Sequence, residues 1–523
     1  MVVRVLLLLI CWLFVAGCAR QRFFQTDARL PGAAPLAATA DSARVTAGRH
    51  YRAHVLHRVF FGRHYRHVWT TPVTVPVLNP QTAVPGGLQA GKLGGGFQST
   101  SMTLLGRNDR EYALRTLDKD PYKTLPKTLQ KTFVLDLVRD ATSAINPYGA
   151  FVVPPLAEAA GVLHTTPQLF YIRADEKGLG ENAPKFQGKL ALLEEKFDGK
   201  SNLTPAFGNA QDLEDSDDVL RMRYQNPDHQ FDQLAFARAR LLDIWLGDWD
   251  RHEGQWQWAV YAQQDRTLYR PIPKDRDQVF YRFDDGLVPW LVSRPFIVGK
   301  LRTFKPHYES IDGLVKNARF IDERALNELT SVQFQKLALD LQSRLTDDAI
   351  EKALRRLPPP IYQLEGARTA AALRTRRASL PVAARAYYRL LARQVTVVGT
   401  DQAERFVVQR LTDSTTQVQV YATANKLMYA RTFRSTETKL ITLHGLGGED
   451  TFEVSGDVTH GIRINIFGGP NRDEVKDSSH VRHSRKKTFY YDTRSGNTLE
   501  AGPSTRDRTR KGVEAHTYDR EGD

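Results

Sequence analysis

A stretch near the middle of the chain, Leu246 to Phe280, constrains the fold more than any other. Its first part reads Leu246-Gly-Asp-Trp-Asp-Arg-His-Glu-Gly-Gln-Trp-Gln-Trp258 and its last part Pro271-Ile-Pro-Lys-Asp-Arg-Asp-Gln-Val-Phe280. Asp248, Asp250 and Glu253 lie in one group, Asp275 and Asp277 in the other, about 25 residues on, with room for one β-hairpin between them. Two acidic groups brought together by a hairpin suit metal and phosphate chemistry, because one acid can accept a proton while others hold Mg²⁺ or Mn²⁺ against phosphate oxygens. Arg251, Lys274 and Arg276 are interleaved with the acids, so a salt-bridged loop is the competing reading.

A second constraint lies upstream. Gly91-Lys-Leu-Gly-Gly-Gly-Phe-Gln-Ser-Thr-Ser101 precedes two strand-like runs, Met102 to Leu105 and Tyr112 to Leu117, with the polar turn Gly106 to Arg110 between them. Glycines between strands let backbone amides approach a phosphate, which makes Gly94, Gly95 and Gly96 candidate nucleotide contacts. The pattern is neither a Walker motif nor a dinucleotide fingerprint. Arg115 and Lys119, four residues apart, add two cations on one face of an extended strand. Further on, Asp136 and Asp140 on a predicted 126–140 helix are candidate partners for the basic strand residue, or part of a solvated face.

The chain then divides by pattern. Lys189 to Glu195 read as a strand linking two lobes, and Phe231 to Leu246 form an amphipathic helix with Leu234, Ala237, Leu241, Leu242 and Trp245 on its apolar side. Helical segments continue to about Arg393; Pro381 divides 367–377 from 382–393, and the Arg374 to Arg377 run reads as a solvated face. From Val395 short alternating strands take over. Two related turns, Gly447 to Phe452 and Gly468 to Val475, begin 21 residues apart and predict stacked β-coils. The second is similar to a calcium-binding β-roll nonapeptide, which makes Ca²⁺ a candidate ligand of this end beside a metal-free turn.

Before the first lobe, Arg4 and the apolar run Val5 to Val15 lead to Phe14-Val-Ala-Gly-Cys18. A short apolar run ending in small residues is a cleaved export signal, and this one resembles the bacterial lipobox, which implies lipidation of Cys18. Cys11 is the only other cysteine and leaves with the signal, so neither a disulfide nor thiolate chemistry is expected in the mature fold. Residues 26–48, rich in Ala, Pro and Gly, read as a disordered tether, as do the polar residues 494–523. His50, His54 and His57 at helical spacing are read as a surface helix, without a carboxylate or Cys nearby to suggest a metal. The net charge of +14 favours an anionic substrate or surface, and no nucleic-acid reading motif accompanies it.

Taken in order, a glycine loop, a basic strand, an acidic helix, a lobe link, a long helix and two acidic motifs resemble the atypical kinase-like group that includes the HipA toxin kinases, the type II phosphatidylinositol 4-kinases and the secretory-pathway casein kinases. Asp250-Arg251-His252 matches the catalytic Asp-Arg-His of the last, and Gln255 beside Trp256 stands where the lipid kinases carry Asn and Trp. Asp275, five residues before Phe280, falls at the second metal-binding Asp, and Ala113-Leu-Arg115 at Ala-x-Lys, with Arg for Lys. The resemblance covers about residues 72–391. It implies Asp250 as catalytic base, Gln255, Asp275 and Asp277 as metal ligands, and Gly94 to Gly96 with Arg115 or Lys119 as the nucleotide contacts, using ATP with Mg²⁺ or Mn²⁺. The wider sequence is also similar to the soluble part of outer-membrane barrel fusion proteins. The expected fold class is α+β: a kinase-like domain with lobes at 49–195 and 196–393, then a small all-β domain, a β-roll or stacked coils, at 394–493, behind a signal peptide (1–17) and a tether (18–48). The expected function is an exported phosphotransferase, lipid-anchored in the bacterial envelope at the outer membrane; a non-catalytic envelope protein binding a polysaccharide, lipid or barrel partner is the alternative.

Overall fold

Between Ser42 and Glu195 the described residues form both strands and helices, because apolar side chains recur there at both periods. The computed structural model describes residues 19–20, 23–94, 98–483, 486–493, 496–510 and 517–522; Cys18, Gly95 and Gly96 lie outside them. Strand β1 (Ser42–Val45) pairs antiparallel with β2 (Val73–Pro76), and the short helices α1 (Val55–Phe61) and α2 (Arg66–Thr70) lie between them. Strands β3 (Gln89–Leu93), β4 (Ser101–Leu105), β5 (Glu111–Thr116), β6 (Gln168–Tyr171) and β7 (Leu190–Glu195) form one antiparallel sheet in the order β3-β4-β5-β7-β6. Helices α3 (Phe133–Ala141) and α4 (Val153–Ala160) fall between β5 and β6. Thr132 caps α3, its hydroxyl accepting from Val134 N at 3.3 Å, so the helix starts later than the sequence predicts.

The second lobe is built around α6. Strand β8 (Asp212–Asp215), helix α5 (Ser216–Gln225) and strand β9 (His229–Phe231) lead into α6 (Gln233–Leu246), which Asp232 caps through Ala235 N at 3.0 Å. Gly247, at φ +72, ends the helix in the left-handed conformation that glycine adopts without strain. Leu241, Leu242 and Trp245 are fully buried, whereas Leu234, in the first turn, stays exposed. The predicted hairpin follows as β10 (Trp256–Ala262) and β11 (Thr267–Pro273), in a sheet ordered β8-β10-β11-β9. The remaining helices are α7 (Leu287–Val292), α8 (Pro295–Val298), α9 (Ile311–Val315), α10 (Arg319–Ala325), α11 (Ser331–Arg344), α12 (Asp347–Leu354) and α13 (Pro359–Ala392), with α6 packed on α11 and α13.

Pro381 does not divide α13. A proline lacks the N–H that would bond the carbonyl four residues back, and here Gln342 Nε2 donates to Arg377 O at 3.0 Å and to Ala378 O at 3.2 Å. Nor is the arginine run solvated throughout. Arg376 is buried, donating to Trp245 O (2.7 Å), Ile244 O (2.6 Å) and Lys305 O (3.0 Å), so it closes the C-terminal turn of α6.

From Gln394 onward parallel strands stack. Leu440 lies beside Arg463 and Glu474 beside Thr498, so one coil takes 23 or 24 residues. A hairpin, Thr415–Ala422 with Lys426–Arg434, is inserted after the first coil. The turns share a device: Gly399, Gly445 and Gly468 each leave the space of a missing side chain to the acid five residues on, Glu404, Asp450 or Asp473. Asp450 Oδ1 accepts from Glu404 N at 2.8 Å, Asp473 Oδ1 from Asp450 N at 2.9 Å, and Asn497 Oδ1 from Asp473 N at 2.9 Å. One oxygen of Asp450 and one of Asp473 are thus engaged by the neighbouring coil's amides, and among the described residues no group of three or more acidic, His or Cys side chains is gathered to hold a metal. Overall the architecture is α+β, two lobes followed by an all-β coil stack.

Described parts of two segments expected to be disordered take part in the fold. Ala28, Val45 and Ala47 are buried in the main core, and Arg49 donates to Asp27 O at 2.8 Å and Ala28 O at 3.3 Å, so small residues pack where bulky ones are absent. In the tail, Thr498–Glu500 and Thr505–Asp507 add strands to the coil stack, because an open coil end has unpaired amides to offer.

Candidate active site

The first lobe's sheet faces the acidic motifs across a cleft. Arg115, on β5, reaches Asp275 at 3.2 Å and Glu194 of β7 at 3.9 Å. Lys119, in the turn after β5, pairs with Asp277. Both cations expected from sequence are therefore brought to both acids of the second motif. Burial pushes the Lys119 ammonium below its ordinary value, with Asp275 and Asp250 pulling it back. For Asp275 burial acts upward, but Arg115, Lys119, Arg251 and Lys274 outweigh it and hold the carboxyl below its usual range. Asp275 also has φ +57, a left-handed conformation uncommon for a residue with a side chain and concentrated at functional sites.

Asp250 sits just after the end of α6. Asn317 Nδ2 donates to its Oδ1, and Lys300 Nζ in turn donates to Asn317 Oδ1 at 3.0 Å, leaving the second carboxylate oxygen without a described partner. Nothing in the sequence near Asp250 announces Asn317, which lies in a different helical segment. Gln255 contacts His252 through Nε2 at 3.3 Å, and its Oε1 is buried without a partner, a free oxygen donor. Gly94 N donates to Ser101 O at 2.8 Å, closing the described part of the glycine loop. Glu194, unremarked in the sequence reading, is raised by burial, and Thr165 donates to it.

Arg251 turns out to be structural. It is buried, donates to Lys274 O at 2.6 Å and Gln255 O at 2.7 Å, and so ties the two motifs together. Asp243 of α6 and Asp248 share Arg276, and Asp243 also pairs with Arg240, which meets Asp322 at 2.7 Å. This buried chain of alternating charge fixes the loop that carries Asp250. The salt-bridged-loop reading is thereby realised in Asp248, which pairs with Arg276 at 3.1 Å and Arg251 at 3.8 Å. Asp136 and Asp140 do not reach Arg115; Asp140 pairs with Arg66 at 2.6 Å and His57 at 3.1 Å, and Asp136 with Arg139 at 3.7 Å. The histidine segment also has carboxylates nearby, His50 meeting Asp118 at 3.1 Å.

The void among Arg115, Lys119, Asn146, Glu194, Asp275 and Asp277 measures about 40 Å³, and a neighbouring one beside Gly94, Ser101 and Lys274 about 160 Å³. Small-molecule pockets span roughly 300–1,000 Å³, so the cleft is closed by its own ion pairs.

No family model matches the chain. No curated protein matches it either. Among solved structures it is similar to the Helicobacter pylori proinflammatory kinase CtkA (12% identity, 55% of this chain and 93% of that one, TM-score 0.28), to HipA of a Shewanella oneidensis toxin–antitoxin complex with HipB and operator DNA (13%, 68% and 76%, 0.27) and to the Golgi casein kinase with Mn/ADP bound (10%, 58% and 73%, 0.31).

Proposed function

We propose that the chain is a metal-dependent phosphotransferase of atypical kinase-like architecture, exported and anchored through a lipid on Cys18. The observation that carries the reading is the exact complementarity of charge across the cleft: Arg115 with Asp275 and Lys119 with Asp277. Phosphates need the two cations and a divalent ion needs the two acids, so a nucleotide and its metal would enter together as each pair parts. Asp275, Asp277 and Gln255 are hard oxygen donors that fit Mg²⁺ or Mn²⁺ in kind, and Gln255 Oε1 has no hydrogen-bond partner that such an ion would have to displace. When bound, such an ion neutralises charge building on a transferring phosphoryl group. Asp250, oriented by Asn317, keeps one oxygen for the proton of an acceptor hydroxyl. Arg115 and Lys119 hold the phosphates, and Arg251 keeps the two motifs in register.

A second reading has its own support. The 40 Å³ void and its ion pairs also suit a cleft that stays closed, in a non-catalytic envelope protein. Radiolabelled phosphate transfer, with autophosphorylation as default acceptor, separates the two. Asp250→Asn is expected to lower transfer by about 10²-fold or more while nucleotide affinity stays within a few-fold. Absence of transfer by the wild type with any metal or nucleotide supports the second reading instead.

A further inference from the structure

Helices α1 and α7 pack on each other, yet both turn apolar side chains outward. Leu56 is 74% exposed, Val55 65%, Leu291 50% and Trp290 48%, and α1 buries none of its residues. Two glycines set the pair side by side: Gly62 ends α1 at φ +88, and Gly286, just before α7, lies so close to its backbone that no Cβ fits between them. An apolar face of this breadth on a water-exposed protein marks a contact surface.

Its surroundings are basic. Arg52, Arg58 and Arg63 are exposed along α1, and the Arg294 guanidinium lies 4.1 Å from the Trp290 ring centroid. Beside α7 opens a cavity of about 1230 Å³. Its acids are all engaged: Asp284 and Glu309 by Lys305, Glu365 by Arg282 and His67, Asp285 by His64. Arg63, Arg302 and Arg368 line the same cavity, and no ion-pair partner is found for them among the described residues; Arg302 Nε is buried without a hydrogen bond. The first described residues lie on this side too. Ala19 N bonds Lys131 O at 3.0 Å, and Arg20 lines a groove together with His54, with His57 and Phe61 of α1, and with Asp136 and Asp140, whose charges Arg139, Arg66 and His57 engage.

We propose that this face docks on an anionic phospholipid bilayer, with the outward side chains of α1 and α7 entering the headgroup boundary and Arg58, Arg63 and the cavity arginines meeting phosphates. Amphipathic helices with arginines beside an apolar face bind membranes in this way. A second copy of the chain fits less well, because a two-fold contact would set one arginine-rich rim against another. The inference does not rest on nucleotide binding or transfer, and the bilayer contact is separable from a lipid anchor.

The test uses the full chain from residue 18 with Cys18→Ser, which cannot be acylated, in co-sedimentation with vesicles of equal parts phosphatidylglycerol and phosphatidylcholine, and of phosphatidylcholine alone. Binding should favour the anionic vesicles and weaken with salt. Leu56→Asp with Leu291→Asp, and separately Arg58→Glu with Arg63→Glu, should each weaken it about 10-fold or more with an unchanged melting temperature. Brominated acyl chains should quench a fluorescence component of the unsubstituted chain that Trp290→Phe removes, which keeps the test valid if a double variant fails to fold. Equal sedimentation of wild type and the Leu56/Leu291 variant, absence of any Trp290-dependent quenching, or a dimer dissociated by that variant without vesicle binding would overturn the proposal.

Discussion

Asp450 offers a quantitative test of the coil stack. Burial pushes its carboxyl up to about 9, and that of Asp473, one coil on, to about 7. Asp450 is 1% exposed, with Oδ1 on the Glu404 amide and Oδ2 without a partner. The raised folded value means that the folded coil keeps a proton which the unfolded chain has already released above its ordinary pKa of about 4. Stability therefore falls as pH rises from about 4 towards 9, by about 1.4 kcal/mol per pH unit for this group. Asp450→Asn removes the titration and keeps the Oδ1 acceptor. Whatever the fixed effect of the amide, the stability of the variant relative to wild type should rise by about 2–3 kcal/mol between pH 6 and pH 8. Amide hydrogen exchange in strands 451–455 and 474–477, with both proteins compared at the same pH, measures this as about a 30- to 150-fold change in their relative exchange rates. A difference that does not change with pH, or one that grows in favour of the wild type, would show that Asp450 does not hold its proton in the folded coil.

Two further predictions concern the frame around the cleft. Arg376→Met removes three hydrogen bonds from a charged donor, leaving the Trp245 carbonyl without that donor and the Ile244 carbonyl with only the Gly247 N–H at 3.2 Å, so it should cost about 3 kcal/mol in urea unfolding, with Arg376→Lys recovering only part. Gln342→Ala exposes the carbonyl that Pro381 leaves unbonded and should cost about 1 kcal/mol in the same assay, whereas the same substitution made together with Pro381→Ala should cost less, since the helix then supplies its own donor.

Periodic and local signals were legible in the sequence. The hairpin between the acidic motifs, the long helix ending at Gly247 and the repeated coil turns all follow from spacing and turn chemistry that neighbouring residues control. The pairing of Arg115 and Lys119 with the second acidic motif was not, since the sequence offered Asp136 and Asp140 as partners of the basic strand. Nor were other features decided by distant partners. Arg376 reads as surface in a run of arginines, and its burial depends on carbonyls of α6; continuity of α13 through Pro381 depends on a glutamine from α11. Asn317 is an ordinary residue until Asp250 is beside it. Ordering of residues 26–48 has the same origin, since small residues with little apolar surface of their own pack once Arg49 and the β1–β2 pair hold them.

On the proposed function the cleft opens for a nucleotide and a divalent ion together. Nucleotide alone would satisfy Arg115 and Lys119 but leave Asp275 and Asp277 facing phosphates, and the ion alone would leave the two cations unpaired, so neither should bind well by itself. Thermal unfolding of the mature protein with ATP, with Mg²⁺ or Mn²⁺, and with both measures this directly, because a ligand at about 100 times its Kd adds roughly 2.7 kcal/mol by mass action. Tm should rise only with both present, and Asp275→Ala should abolish the rise. An equal rise with ATP alone that survives Asp275→Ala, or no rise under any combination, would contradict it.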